Sequence, residues 1–202
     1  MEIAENAALV VVDVQKGFEE EEYWGERNNP DAERNIAVLI DLWQATGRPV
    51  VFVRHDSVEG ARSPLRAGHA GNDFKDFVEE RRGKGSGPEL LVVKSVNSAF
   101  YGEPSLDAWL RGRGVGQIVV AGIQTNMCNE TTARMGGNLG YDVVFPLDAM
   151  HTFGLEGPYG WTAGADELTR ATAVSLHGGG FARVVATEDV VRGVSAGAAG
   201  VR

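Results

Sequence analysis

The chain is poor in cysteine and in cationic residues, and it has no long apolar run. A single cysteine in 202 residues leaves no internal disulfide, which fits a reducing compartment. With 19 Lys and Arg against 28 Asp and Glu, the formal charge is −9, and no basic stripe is available to bind nucleic acid or an anionic membrane surface. The N-terminus, Met1–Glu5, lacks the cationic and apolar regions of a signal peptide, and no run approaches the length of a membrane span. We therefore expect a soluble, cytoplasmic protein.

Six apolar runs alternate with helical patterns, and no linker rich in proline, serine or charge divides the chain. An unbroken apolar run is typical of a parallel strand buried on both faces, and strand-helix-strand units require right-handed crossovers. The pattern predicts one α/β domain over 1–202, with a three-layer Rossmann-like fold, a six-stranded parallel sheet in the order 3-2-1-4-5-6 and helices on both faces. The predicted strands are 8–13, 49–54, 90–94, 117–121, 141–145 and 182–186.

Helices are predicted between these strands from apolar residues at helical spacing. Asn29 supplies a cap and Pro30 a first helical residue for the first of them. Further helices are expected at 105–111 and 163–177, with a short one near 74–78. A short turn that contains Val190 is expected to precede the Gly/Ala-rich tail.

The single cysteine follows the fourth predicted strand, where the chain turns into a helix. Gly122 ends the apolar run, and Thr125 or Asn126 can cap a helix that continues to Leu139. Cys128 would then lie in the first helical turn, where free N–H groups and the helix dipole favour a thiolate and can hold an oxyanion. Because an isolated cysteine is more often a small buried hydrophobic residue, its position alone leaves both interpretations open.

Two charged side chains follow other strands, Asp13 after the first and Lys94 at the end of the third. Ligands bind beyond the carboxyl ends of parallel strands where the strand order reverses, so Asp13 and Cys128 should flank that point. Lys94 starts two strands away, about 10 Å, and its long side chain would have to close that distance. If the three meet, Asp13 can act as the base for the thiol, and a cationic Lys94 favours the thiolate.

Four sequence patches together resemble the isochorismatase-like cysteine hydrolases, a superfamily that includes nicotinamidases and N-carbamoylsarcosine amidases. They are Val10–Phe18, Lys94 with Ser98–Phe100, Gly122–Cys128 with Thr132–Arg134, and Asp148–Ala149. The resemblance implies a six-stranded α/β fold and a catalytic triad of Asp13, Lys94 and Cys128. It also implies a cis peptide between Ile123 and Gln124, and an oxyanion hole formed by the N–H groups of Gln124 and Cys128.

The activity implied by this resemblance is cysteine-dependent hydrolysis of a small amide, ureide or carbamoyl C–N bond through a thioester, without a cofactor. Two alternatives remain open. Members that hydrolyse the vinyl ether of isochorismate share the pattern but generally lack the cysteine. A non-catalytic binding or assembly protein could also keep the fold. In the catalytic interpretations the partner is a small-molecule substrate, and neither nucleic acid nor membrane is expected.

No metal is predicted. Nicotinamidase-like relatives carry an Asp-x-His metal motif after the second strand, where this chain has Arg54-His55-Asp56. Because adjacent side chains on a strand point to opposite faces, a shared metal site is not expected from this spacing. His55 and His69 are the only candidate ligands.

Aromatic and polar residues near the motifs are candidates for the substrate-binding wall. They are Phe18, Tyr23, Trp24, Asn97, Phe100, Asn126 and Trp161. Core packing is the alternative for Phe18 and Phe100. Because similar proteins form dimers or tetramers, the resemblance also implies a homo-oligomer, with the Gly136-Gly137 helix and the long connection 57–87 as candidate contacts.

Overall fold

The computed structural model describes residues 1–199, in which strands and helices alternate along the chain. The strands are β1 (Ala8–Val12), β2 (Val50–His55), β3 (Glu89–Lys94), β4 (Gln117–Ile123), β5 (Asp142–Pro146), β6 (Met150–His151), β7 (Leu155–Glu156), β8 (Thr162–Ala163) and β9 (Arg183–Val185). The helices are α1 (Glu21–Trp24), α2 (Ala32–Ala45), α3 (Asp76–Glu79), α4 (Leu106–Arg111), α5 (Glu130–Asn138), α6 (Ala165–Gly178) and α7 (Thr187–Ala199). Within this range, none of the helices has the length and apolar character needed to cross a bilayer.

A parallel sheet of seven strands runs through the molecule in the order β3-β2-β1-β4-β5-β9, and the short β6 pairs with the end of β4. The predicted class and strand order are confirmed, because β9 is the sixth of the predicted strands and β6 is an addition at the edge of the site. The register pairs Val12 with both Val53 and Gly122. The carboxyl ends of β2, β1 and β4 therefore lie side by side.

The sheet is covered on both faces, because β1 is apolar at every position and β4 at every position after Gln117. In β1, Leu9 and Val11 belong to one buried cluster, whereas Val10 and Val12 belong to the other, as the alternation of a strand requires. The helix α2 covers the first face with the buried side chains of Ile36, Leu39, Ile40 and Trp43. The opposite face is covered by residues of α4, α5 and α6, among them Leu106, Leu110, Ala133 and Leu176. These contacts give the three layers that the sequence predicts.

The start predicted for α2 is wrong by a few residues. Asn29 has a φ of 45° and lies before the helix, which begins at Ala32. Its side-chain amide donates to the carbonyls of Asp148 and Met150 at 2.9 and 2.7 Å. Asn29 therefore ties the entry of α2 to the segment after β5, a long-range contact that a local capping signal does not reveal.

The C-terminal segment forms a long helix where only a short turn was predicted. The glycine and alanine residues near its end do not form an apolar pattern that would indicate burial, and glycine lowers helix propensity. Val190 and Val194 are nevertheless buried in the core, and this burial stabilises α7. The last residues of the Gly/Ala-rich tail, 200–202, lie outside the described range.

The glycine pair in α5 is explained by packing within the chain. A Cβ on Gly137 would lie 2.9 Å from the carbonyl oxygen of Phe181, and one on Gly136 would lie 3.0 Å from Ile118 and 3.1 Å from Val143. The pair therefore lets α5 approach its own sheet and the segment before β9. No neighbouring subunit is needed to account for it.

Candidate active site

Asp13 occupies the turn that directly follows β1. Its φ of 52° places it in the left-handed region, which Asp tolerates better than most residues with a Cβ and which recurs at active sites. The backbone is held by hydrogen bonds from the Asp13 N–H to Val53 at 2.9 Å and from the Gln15 N–H to the Asp13 carbonyl at 2.8 Å. The side chain is fully buried. The carboxylate is therefore held in one place at the sheet edge.

The turn after β4 begins with a close approach between two backbones. Gly122 has a φ of 137°, and a Cβ there would lie 2.0 Å from the Val12 carbonyl oxygen, so only glycine fits. The following peptide bond, Ile123–Gln124, is cis, as the resemblance implies. Residues 125–129 then form a π-helical turn before α5. Cys128 thus lies in a wide turn, and the predicted position in the first turn of an α-helix is wrong.

One ammonium group connects the candidate catalytic side chains. The Nζ of Lys94 lies 2.5 Å from Asp13 Oδ2, 3.0 Å from His55 Nδ1 and 3.4 Å from Cys128 Sγ. Lys94 therefore spans the distance left by the strand order. An ammonium has three N–H donors, and these three partners use all of them. The side chains of Lys94 and Asp13 are 0% exposed, so the pair is shielded from water.

His55 is part of this site, although sequence reasoning considered it only as a metal ligand. Its Nδ1 accepts from Lys94, and this contact assigns the proton of the neutral ring to Nε2. Burial, and then the charge of Lys94, lower the pKa of His55 below the ordinary 6.5, so the ring is neutral at pH 7. His55 is paired with Lys94 in the register of β2 and β3. His55 directly follows the second predicted strand and Lys94 ends the third, and this shared position near two strand ends is the sequence signal that could have identified it.

The surroundings of the Cys128 sulfur favour the thiol over the thiolate. Burial, and then the charge of Asp13, raise the pKa of Cys128 far above its usual range, while Lys94 opposes the shift. Burial alone would lower the pKa of Lys94, but Asp13 and Cys128 raise it, so the lysine stays cationic. From the sequence, a helix start and Lys94 are expected to favour the thiolate, whereas burial beside the Asp13 carboxylate favours the thiol. A base must remove the thiol proton when the sulfur reacts.

The same groups include a set with metal-ligating spacing. One ligand atom each from Asp13, His55 and Cys128 lie within 4.8 Å of one another, whereas His69 is exposed and outside the set. The Lys94 ammonium already contacts all three of these groups. A metal ion would have to displace this built-in cation.

A cavity of about 210 Å³ opens over these side chains. It is lined by Asp13, Phe18, Trp24, His55, Ser57, Glu59, Ser63, Leu65, Asn97, Gln124, Met127 and Cys128. Among the predicted wall residues, Phe18, Trp24 and Asn97 lie in this lining. The Trp24 ring packs 4.9 Å from that of Phe18, and its Nε1–H donates to the Gly17 carbonyl at 2.8 Å, which fixes the aromatic wall. A larger cleft, about 500 Å³ beside Glu33 and Lys75, has no cysteine, serine or histidine in its lining.

The other four wall candidates lie outside this lining. Tyr23 packs edge-on against Trp24, and Phe100 stacks on Tyr141 over the buried Gly136. The side-chain amide of Asn126 contacts the hydroxyl of Thr152. Trp161 is 69% exposed in the β7-β8 hairpin. Proximity to a motif in sequence identified only part of the wall, since the rest includes residues of the connection after β2.

That connection contributes Ser57, Glu59, Ser63 and Leu65 to the cavity, residues that sequence reasoning missed. The length of the segment indicated only that it has a role, such as a lid or a subunit contact. Its path depends on hydrogen bonds to distant parts of the chain, such as the one from the Gln15 side-chain amide to the Asn72 carbonyl at 2.8 Å. No local pattern in the sequence reports those bonds.

Comparisons with known proteins agree with this geometry. The family model of the isochorismatase domain matches residues 7–189. YrdC, an uncharacterized isochorismatase family protein of Bacillus subtilis, is 33% identical over 93% of this chain and 95% of its own. Nicotinamidase 3 of Arabidopsis thaliana is 31% identical over 89% of this chain and 84% of its own. The crystal structure of an isochorismatase-family protein of Chromobacterium violaceum matches with a TM-score of 0.87 and 35% identity, covering 96% of this chain and 97% of that one.

Proposed function

The chain belongs to the isochorismatase family, and on this premise we propose that it hydrolyses a C–N bond of a small amide, ureide or carbamoyl compound with Cys128 as nucleophile. The observation that carries the proposal is the contact of one buried ammonium with both a carboxylate and the sulfur, at 2.5 and 3.4 Å, beneath a cavity. A relative that is named a nicotinamidase supports amide chemistry.

In the first step, Asp13 accepts the thiol proton while the Cys128 sulfur bonds to the carbonyl carbon of the substrate. Because burial beside Asp13 raises the pKa of Cys128, proton transfer and attack occur together instead of starting from a thiolate. Lys94 stays cationic and keeps the carboxylate within reach of the thiol. The electron pair of the C=O bond moves to oxygen and forms an oxyanion.

The tetrahedral intermediate then collapses. The N–H groups of Gln124 and Cys128 are the proposed donors to the oxyanion, on either side of the turn that opens with the cis peptide. Asp13 returns its proton to the departing nitrogen, the C–N bond breaks, and an amine or ammonia leaves. The acyl group remains on Cys128 as a thioester.

Water completes the reaction. Asp13, again a carboxylate, accepts a proton from water as the water oxygen attacks the thioester carbon. The C–S bond breaks, the acid product leaves, and the proton on Asp13 restores the thiol. The chain's own residues thus supply the nucleophile, the base and the fixed cation.

The experiment is a product assay with Cys128→Ala and the wild-type chain on a panel of amides, ureides and isochorismate. We expect ammonia from at least one C–N substrate with the wild type, and none with the variant. An unchanged unfolding midpoint of the variant would show that its fold is intact. Pyruvate release from isochorismate by both proteins would favour vinyl-ether hydrolysis instead and would overturn the proposal.

A further inference from the structure

We infer that the active cavity accepts an uncharged or cationic substrate and rejects one that carries a carboxylate, with Glu59 as the residue that selects the charge. The inference rests on the proposed function, since it concerns the substrate of the same site. The cavity is lined by two carboxylates, Asp13 and Glu59, and its lining contains no lysine or arginine.

The nearby cation is not available to a substrate. Lys94 directs its three N–H donors to Asp13, His55 and Cys128, and its side chain is 0% exposed. Proteins bind carboxylate ligands mainly through accessible Arg or Lys donors. A substrate carboxylate in this cavity would lose water without gaining such a partner, which is strongly unfavourable.

The position of Glu59 is set by the loop that carries it. The Glu59 N–H donates to the Ser57 hydroxyl at 3.2 Å, and the Ser57 N–H donates to the Leu65 carbonyl at 3.0 Å. The buried side-chain amide of Asn72 donates to Leu65 and to the His55 carbonyl at 2.8 and 2.9 Å. These bonds close the loop onto the end of β2 and place the backbone of Glu59, an exposed residue, beside the cavity that its side chain lines.

The charge of Glu59 is not neutralised by an ion pair with a lysine or arginine within residues 1–199. Its carboxylate raises the pKa of His55, although burial and Lys94 outweigh this effect, so its field reaches the site. The wall formed by Phe18, Trp24 and Leu65 is apolar. A small, flat amide with a neutral or cationic end near Glu59 fits this combination.

The test uses Cys128 as a probe of the cavity, because it is the chain's single cysteine. Rates of modification are measured with a trimethylammonium-ethyl and a sulfonatoethyl methanethiosulfonate, which each form a mixed disulfide with the thiolate and release methanesulfinate. The rate for each reagent is divided by the rate at which the same reagent modifies β-mercaptoethanol, which corrects for its intrinsic reactivity. The variants are Glu59→Gln and, as the matched control, Glu5→Gln, which removes the same charge before β1 at the opposite edge of the sheet.

We expect the normalised rate to favour the cationic reagent by about 10-fold at low salt, and the preference to shrink with added salt. Glu59→Gln should lower the preference by about 3-fold or more, while Glu5→Gln should leave it unchanged. Equal normalised rates, or a preference unaffected by Glu59→Gln, would overturn the charge selection even if Cys128-dependent ammonia release is intact. If neither reagent modifies Cys128 in a protein that still shows Cys128-dependent ammonia release, the charge selection is overturned and the proposed function stands.

Discussion

Lys94 lies 2.5 Å from Asp13 although β2 separates their strands in the sheet. Both side chains are fully buried, so neither charge is solvated by water. A buried pair of this kind is costly to assemble, and removing one partner leaves an uncompensated charge in the protein interior. In the proposed mechanism, the stability of the sheet edge and the reactivity of the site therefore depend on the same contact.

Lys94→Met should destabilise the protein by about 3–5 kcal/mol at pH 7, because Asp13 would stay buried without a cation. The double variant Asp13→Asn/Lys94→Met removes both charges and should regain most of that stability without regaining activity. The free energy of unfolding in denaturant measures both effects. A double variant as unstable as Lys94→Met would show that the lysine stabilises the fold by packing and not by charge.

His55 is a positioning residue in this account, because its Nδ1 accepts from Lys94 and fixes the ammonium between the reacting groups. His55→Leu should lower kcat/KM by about 10- to 100-fold, since one charged donor loses its partner. His55→Asn keeps an acceptor near the Nδ1 position and should lose clearly less. Steady-state assays on any amide that the wild type hydrolyses provide the comparison.

The pH profile separates this role from simple packing. Protonation of His55 removes the Nδ1 acceptor and places a second cation beside Lys94. Because the pKa of His55 lies below 6.5, activity should fall as the pH drops below that value. The variant His55→Asn cannot undergo this ionisation, and its profile should lack that acid limb. An identical acid limb in both proteins would contradict the assignment.

His151 should make the protein sensitive to acid. It is fully buried, neither ring nitrogen has a hydrogen-bond partner among the described residues, and burial, with Arg27 and Lys75, lowers the pKa of His151 from 6.5 to about 3. A proton then binds the unfolded chain more tightly than the folded one. Stability should therefore fall as the pH drops from 6.5 towards 3.

His151→Leu should remove this contribution, so its stability relative to the wild type should rise by roughly 3 kcal/mol between pH 7 and pH 4. The quantity compared is the change in the free energy of unfolding with pH, so any constant cost of repacking the His151→Leu core cancels. His177→Leu, at an exposed position on α6, is the matched control and should follow the wild type. Parallel unfolding curves for wild type and His151→Leu at every pH would refute the prediction.

Gly122→Ala should abolish soluble folded protein, because the new Cβ would lie 2.0 Å from the Val12 carbonyl oxygen. Gly114→Ala is a suitable control, since Gly114 also has a positive φ, +64°, but nothing lies within 4 Å of a Cβ there. The control should cost only about 1 kcal/mol of backbone strain. The measurements are the expression yield and the thermal unfolding midpoint of the two variants. Equal stability of the two variants would contradict the prediction and would mean that β1 and β4 can separate at their ends.

The sequence alone predicted the framework of this molecule well, for a physical reason. Strands such as β1 and β4 are buried on both faces, so apolar runs mark them directly, and chain connectivity then limits the strand order. Asp13, Lys94 and Cys128 follow strand ends, and parallel strands bring those ends to one edge. Each of these predictions depends only on the local pattern of apolar residues and on the order of the strands in the sheet.

The features that were not predicted depend on tertiary contacts. The π-helical turn around Cys128 shares its residue composition with an α-helical start, so periodicity cannot distinguish the two. The protonated state of the thiol follows from burial beside Asp13, which is known only once the chain is folded. Glu59 reaches the cavity because Asn72 holds the base of its loop.

The covalent state of Cys128 during turnover is the most direct measure of this mechanism. The wild-type chain is mixed with an amide that it hydrolyses, quenched in acid within the first turnovers, and the peptide that contains Cys128 is weighed by mass spectrometry. The mechanism predicts an added mass equal to the acyl group of the substrate on Cys128, and neither adduct nor ammonia with Cys128→Ala. Ammonia release by Cys128→Ala at the wild-type rate, with no adduct on the wild-type peptide, would contradict it.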